Sequence, residues 1–121
     1  SKVGKTMWVS SEKEIDMITA VSGSGPGYVF TILNAIEKAA VELGFSNKVA
    51  KMLVLETFLG SILLQIKTKQ SSKELADSIA IKGGTTEAGI KVMHKNKLDT
   101  IFLQTINAAY RRARLLGKSD K

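Results

Sequence analysis

The sequence predicts an all-α fold, a multi-helix bundle. Three observations point there. Apolar residues recur at three- and four-residue spacing over most of the chain, no segment alternates apolar and polar residues over a useful length, and Ser-x-x-Glu pairs stand where helices should begin. At 121 residues the chain has the length of one domain, here taken as residues 1–121.

Taken in order, Thr6 to Ser10 is expected to be a short extended piece. Ser11 with Glu14 reads as a capping box that opens a first helix to about Val21. The run Ser22-Gly23-Ser24-Gly25-Pro26-Gly27 is a turn, and its proline suits the first position of a second helix, Pro26 to Leu43, with Gly44 as the stop. Along that helix Val29, Leu33, Ile36, Ala40 and Leu43 share a face, and Phe30 and Ile32 widen it.

Ser46 caps a third helix reaching about Lys67. Its centre, Met52 to Leu64, is apolar nearly all round, more than a monomeric domain of this size can cover, so a second copy of the chain is expected against it. A membrane span is rejected because the run falls short of the roughly 18 to 20 apolar residues needed and contains Glu56 and Gln65. Ser71 with Glu74 repeats the capping box for a short helix over Lys73 to Ile79, and the chain then breaks at Gly83-Gly84-Thr85-Thr86. Two further helices follow, Thr86 to Lys95 with Asn96 as stop, and Leu98 to Leu116 before Gly117.

Composition narrows the function. Hydrophobic residues make up 44% and charged residues 24%, with one proline, which marks a folded chain rather than a disordered one. There is no cysteine, which removes disulfides and thiolate metal sites and is compatible with a cytoplasmic location. The single histidine, His94, removes a multi-histidine site, so no metal is expected. The opening Ser1-Lys2-Val3-Gly4-Lys5 has no apolar run behind it, so it reads as neither signal peptide nor anchor but as a chain cut from something longer. A net charge of +7 favours anionic partners; because the lysines are scattered and no nucleic-acid motif accompanies them, a small anion is preferred to nucleic acid.

Four features could carry chemistry. Gly23 to Gly27 resembles a dinucleotide fingerprint but lacks the preceding strand, the spacing and the later acidic residue, and is read as a helix-to-helix turn. Gly83-Gly84-Thr85-Thr86 offers backbone N–H groups and two hydroxyls at a helix start, a fit for a carboxylate, although these residues by themselves favour an ordinary flexible turn with a threonine N-cap. His94, beside Lys95 and Lys97, has no acid or nucleophile near it in the sequence. Arg111, Arg112 and Arg114 sit where a helix C-terminus favours positive charge. No catalytic side chain is identified.

Three segments taken together, Thr19 to Phe30, Gly83-Gly84-Thr85-Thr86-Glu87-Ala88-Gly89-Ile90, and Asn107-Ala108-Ala109-Tyr110-Arg111-Arg112, closely resemble the C-terminal domain of the pyrroline-5-carboxylate reductases in order and spacing. The resemblance implies the 6-phosphogluconate-dehydrogenase C-terminal-like fold, an interlocked homodimer, and further assembly into rings of dimers. It implies an oxidoreductase of proline biosynthesis that reduces L-1-pyrroline-5-carboxylate to L-proline. The cofactor, NADP or NAD, would be bound mainly by an N-terminal Rossmann domain absent from this chain. By motif position, the amides of Gly84 and Thr85 would hold the substrate carboxylate, the Thr86 hydroxyl would meet the ring nitrogen, and Gly83 would shape the loop. Ser22 and Ser24 would face the cofactor. Rate would then come from placement and electrostatics rather than from a nucleophile.

Two departures from the family pattern stand out: Ile81-Lys82 occupies the usual Ser-Pro positions, which puts substrate affinity in question, and Gly27 replaces an alanine, which weakens a helix start slightly. The competing expectation is a non-catalytic helical oligomerisation module on the same scaffold.

Overall fold

The computed structural model describes residues 11–119, and within them the chain is helical with no strand. The helices are α1 (Glu12–Ile18), α2 (Gly25–Leu43), α3 (Asn47–Thr68), α4 (Ser72–Ile79), α5 (Thr85–Lys95) and α6 (Leu98–Ser119), with a π-helical turn over Thr19–Gly23 between the first two. The extended piece expected at residues 6–10 lies outside the described residues.

The helix starts follow the sequence signals. Ser11 Oγ accepts the Glu14 N–H at 3.2 Å and Ser46 Oγ accepts the Val49 N–H at 3.2 Å. At Ser71 the exchange is reciprocal: its hydroxyl accepts the Glu74 N–H at 3.0 Å, and its own N–H donates to the Glu74 carboxylate at 3.0 Å. The stops are conformational. Gly44 takes φ +127, α3 ends on Lys69 in the left-handed region, and Asn96 closes α5 by donating its side-chain amide to the Val92 carbonyl at 2.9 Å.

Ser71→Ala should destabilise α4 by about 1 kcal/mol, read as faster amide exchange at Leu75. The Ser71 backbone N–H, and after it the Ser71 hydroxyl, hold the Glu74 carboxyl below its ordinary value. A depressed carboxyl contributes stability above its unfolded pKa and loses it as pH falls through the folded value. Protection of the α4 amides, measured against their intrinsic exchange rates, should therefore fall as pH drops through and below the usual glutamate range, and S71A, which removes the hydroxyl but keeps the backbone N–H, should weaken that dependence only in part.

Where α1 was expected to run on to Val21, the backbone instead widens by one residue. In a regular α-helix the Ser24 N–H would bond the Ala20 carbonyl. That carbonyl accepts the Tyr28 hydroxyl at 2.8 Å, and the Ser24 N–H reaches one residue further back, to the Thr19 carbonyl at 2.8 Å. Thr19 also donates its hydroxyl to the Ile15 carbonyl at 2.9 Å. A tyrosine eight residues away thus sets the local winding, which periodicity alone does not register.

The chain divides into two compact units, one formed by the N-terminal stretch through Val29 together with the segment from Asp99 onward, the other by Phe30–Leu98. Each has little interior. In the first, Ala20 is buried; in the second, Leu33, Ala50 and Val54 are. Many large hydrophobic side chains are exposed, among them Phe30, Leu59, Ile62, Ile66 and Leu103, an amount of apolar surface that marks an association surface.

Helix α3 concentrates it. At 100° per residue, Ala50 and Val54 lie on one side and are buried, while Met52, Leu55, Leu59, Ile62, Leu63 and Ile66 fall within about 100° of arc on the opposite side. All six are exposed, Leu59 to 62% and Ile66 to 67%. The helix therefore has one face for its own unit and a second, continuous apolar face that its own unit leaves uncovered.

Candidate functional site

The Gly83–Thr86 bend is built by two hydrogen bonds. The Gly84 N–H donates to the Ile81 carbonyl at 2.8 Å, closing a four-residue turn whose third residue, Gly83, has φ +78. A positive φ at that position is what a type II turn requires, so glycine is demanded there. The second bond comes from downstream: the Gly83 N–H donates to Glu87 Oε1 at 3.0 Å, and Lys91 Nζ lies 3.7 Å from the same oxygen. Gly84 is confined differently, since an added Cβ would stand 3.0 Å from the Ile81 carbonyl oxygen.

Helix α5 begins at Thr85, one residue earlier than expected, and its N-cap is Gly84, not a threonine. No side chain caps it. The first N–H groups of a helix have no intrahelical acceptor, so those of Thr85 and Thr86 face outward at the positive end of the helix dipole. The Gly84 N–H thus closes the turn, and the N–H groups at the uncapped helix start are those of Thr85 and Thr86. Thr85 is exposed and Thr86 half-buried. The element that sequence reading missed is Glu87. Its place in the motif was visible, but its role became so only once its carboxylate was seen folded back onto Gly83.

The other candidates separate from this bend. Ser22, exposed, and Ser24, half-buried, belong to the π turn of the first unit, whereas Gly83, Gly84, Thr85 and Thr86 belong to the second. Gly23 to Gly27 runs from the π turn into α2, a helix-to-helix turn, and among the described residues no strand precedes it. His94 and Lys95 fill the last turn of α5, where positive charge meets the negative end of the dipole. Arg114 lies 5.8 Å over the Tyr110 ring, a packing role. A cleft of ≈ 540 Å³ in the first unit, lined in part by Glu12, Asp16, Lys13, Arg114 and Lys118, contains no residue of the bend and mixes both signs of charge. Among the described residues no cluster of side chains could hold a metal ion.

Helices that leave a continuous apolar face uncovered define a class: a helical association domain. Comparison with known proteins makes this specific. The profile described as pyrroline-5-carboxylate reductase dimerisation matches residues 12–116, and the chain belongs to that family. A pyrroline-5-carboxylate reductase of Pseudomonas aeruginosa is 37% identical over 98% of this chain and 43% of its own length, and one of Synechocystis is 36% identical over 98% and 44%. Among solved structures, a pyrroline-5-carboxylate reductase from Coxiella burnetii superposes with a TM-score of 0.86 at 41% identity, covering 91% of this chain and 41% of its own. A Plasmodium falciparum pyrroline carboxylate reductase with NADP bound superposes at 0.85 and 33% identity, covering 89% and 41%. The chain spans about two-fifths of the length of these relatives.

The match also bears on α3. By length and composition its 22 residues are enough to cross a membrane, so the expectation that the apolar run is too short fails once the flanking turns are counted. Length does not separate the two readings; the family matched is one of dimerisation domains.

Proposed function

We propose that this chain is the dimerising, substrate-holding half of a reductase that converts L-1-pyrroline-5-carboxylate to L-proline. The observation that carries the reading is the family match across residues 12–116, together with an uncapped helix start at the family's Gly-Gly-Thr-Thr motif.

In this reading the amides of Thr85 and Thr86 hold the substrate carboxylate, aided by the dipole of α5, and the Thr86 hydroxyl bonds the ring nitrogen. These contacts fix the plane of the imine and leave its carbon facing away from the bend. A nicotinamide cofactor, NADP or NAD, supplies hydride to that carbon when bound. The chain's own contribution to the cofactor is limited to the hydroxyls of Ser22 and Ser24, because the described residues form no strand-turn-helix to receive a pyrophosphate. Placement rather than covalent chemistry is what these residues provide. Two copies associate through α3, and the dimers assemble further into rings.

The 121-residue chain should show no NAD(P)H-dependent reduction of L-1-pyrroline-5-carboxylate, measured as nicotinamide absorbance loss, while still binding the product. Titration with L-proline, followed at the amides of Thr85 and Thr86, should saturate in the millimolar range or below, on the order of the weakest affinities seen for small metabolites. Silent amides would favour the non-catalytic oligomerisation module on the same scaffold, and turnover by the chain alone would refute the division of labour.

A further inference from the structure

We propose that Glu87 is the positioning residue of the anion site: its carboxylate latches the Gly83 N–H and so decides which backbone amides the bend presents. The proposal rests on the carboxylate-binding reading of the bend and adds the device that orients it.

Four N–H groups lie in sequence from Gly83 to Thr86, and the structure divides them. That of Gly83 is held by Glu87 at 3.0 Å and that of Gly84 by the Ile81 carbonyl at 2.8 Å. Those of Thr85 and Thr86 start an uncapped helix. The two bonds differ in kind. The Gly84 bond defines the turn and is shared by type I and type II turns alike, whereas these types differ by a flip of the central peptide, here the one joining Lys82 to Gly83. The N–H of that peptide is the one Glu87 accepts. Glycine at Gly83 tolerates both signs of φ and does nothing by itself to prevent the flip. A flip would carry the Lys82 carbonyl to the side where Gly83 now meets Glu87, placing an acceptor near amides that should receive a substrate carboxylate.

Charge sharpens the case. A carboxylate beside a carboxylate site repels the ligand unless its charge is engaged elsewhere. Glu87 stands in the third position of α5, favourable to its own charge, and its Oε1 is shared between the Gly83 N–H and Lys91 Nζ at 3.7 Å. The position is half-buried, with the Glu87 side chain at 30% exposure while Lys91 is largely in solvent. The hydrogen bond to Gly83 is therefore the constraint that matters, and Lys91 neutralises it. An amide at this position can also accept the Gly83 N–H, and a methyl cannot.

The test compares Glu87→Ala, Glu87→Gln and the native chain by NMR, with two independent readouts: solvent exchange of the Gly83 amide without ligand, and the Kd for L-proline from the Thr85 and Thr86 amides. E87A should speed Gly83 exchange and weaken L-proline about tenfold, the scale of a lost hydrogen bond to a charged group, while E87Q stays within about twofold on both. Unchanged amide exchange in α3 and an unchanged sedimentation profile control for folding. Gly83 exchange that ignores E87A would overturn the latch. Faster exchange with unaltered L-proline affinity would show that the latch exists but positions nothing, and that too overturns the proposal. If the native chain does not bind L-proline, the carboxylate reading falls and the positioning role falls with it, while Gly83 exchange still reports whether the hydrogen bond is there.

Discussion

Leu59→Asp with Leu63→Asp should convert the associated chain into monomers that lose cooperative structure, seen as a drop to the monomer mass in sedimentation and a broadened thermal transition. The two leucines are one turn apart on the uncovered face of α3, at 62% and 56% exposure. Burying each contributes about 2 kcal/mol, so the four copies in a dimer account for ~8 kcal/mol, on the order of 10⁶-fold in dissociation constant. The introduced carboxylates would add desolvation on top. A control pair of solvated lysines on two other helices, Lys73→Asp on α4 with Lys91→Asp on α5, should leave the mass unchanged. Retention of the dimer by the α3 variant would mean that another face, not this one, mediates association. Because the chain has so few buried residues, loss of the partner should also be loss of the fold; a stable, well-dispersed monomer would be as damaging to the reading as an intact dimer.

The reason that face could be anticipated is that amphipathicity is a local property and its violation is local too. Met52 to Leu64 reads as apolar on all sides, and a helix of that kind needs two neighbours. The caps at Ser11, Ser46 and Ser71 were legible for the same reason, since a side chain that bonds an amide three residues away is specified by four consecutive letters. Non-local control was not legible. Tyr28 occupies the Ala20 carbonyl and thereby shifts the Ser24 amide to Thr19, so the helical winding at residues 19–23 depends on a side chain in the following helix.

The bend was half legible. Two glycines and two threonines announce a bend at a helix start, and the combination with the other two segments pointed to the family. What remained hidden was the assignment of each amide. Gly84 seemed the natural donor, yet its N–H is committed to Ile81, and Glu87, carrying no obvious signal beyond an acidic residue in a first helical turn, accepts that of Gly83. Such acidic residues are common for dipole reasons alone, so only the geometry distinguishes a latch from a favourable charge.

Gly83→Val and Thr86→Val should separate the two functions assigned to the bend. Valine cannot hold φ +78 without strain of about 1–2 kcal/mol, and a β-branched residue there is a marked outlier, so the turn should reorganise and the presented amides with it. G83V should therefore weaken every carboxylate ligand, L-proline and cyclopentanecarboxylate alike, by roughly ten- to hundredfold when turn strain and lost amide contacts are combined. Thr86→Val is nearly isosteric and keeps the backbone amide while removing the hydroxyl. It should weaken L-proline about tenfold and leave cyclopentanecarboxylate, which has no ring nitrogen, within about twofold. Calorimetric titration of both ligands against both variants gives four ratios, and the pattern decides. If T86V weakens both ligands equally, its hydroxyl does not read the ring nitrogen and only the anion cradle survives. If G83V leaves both affinities intact, the conformation of the bend is irrelevant to binding, and the carboxylate must be held somewhere other than the start of α5.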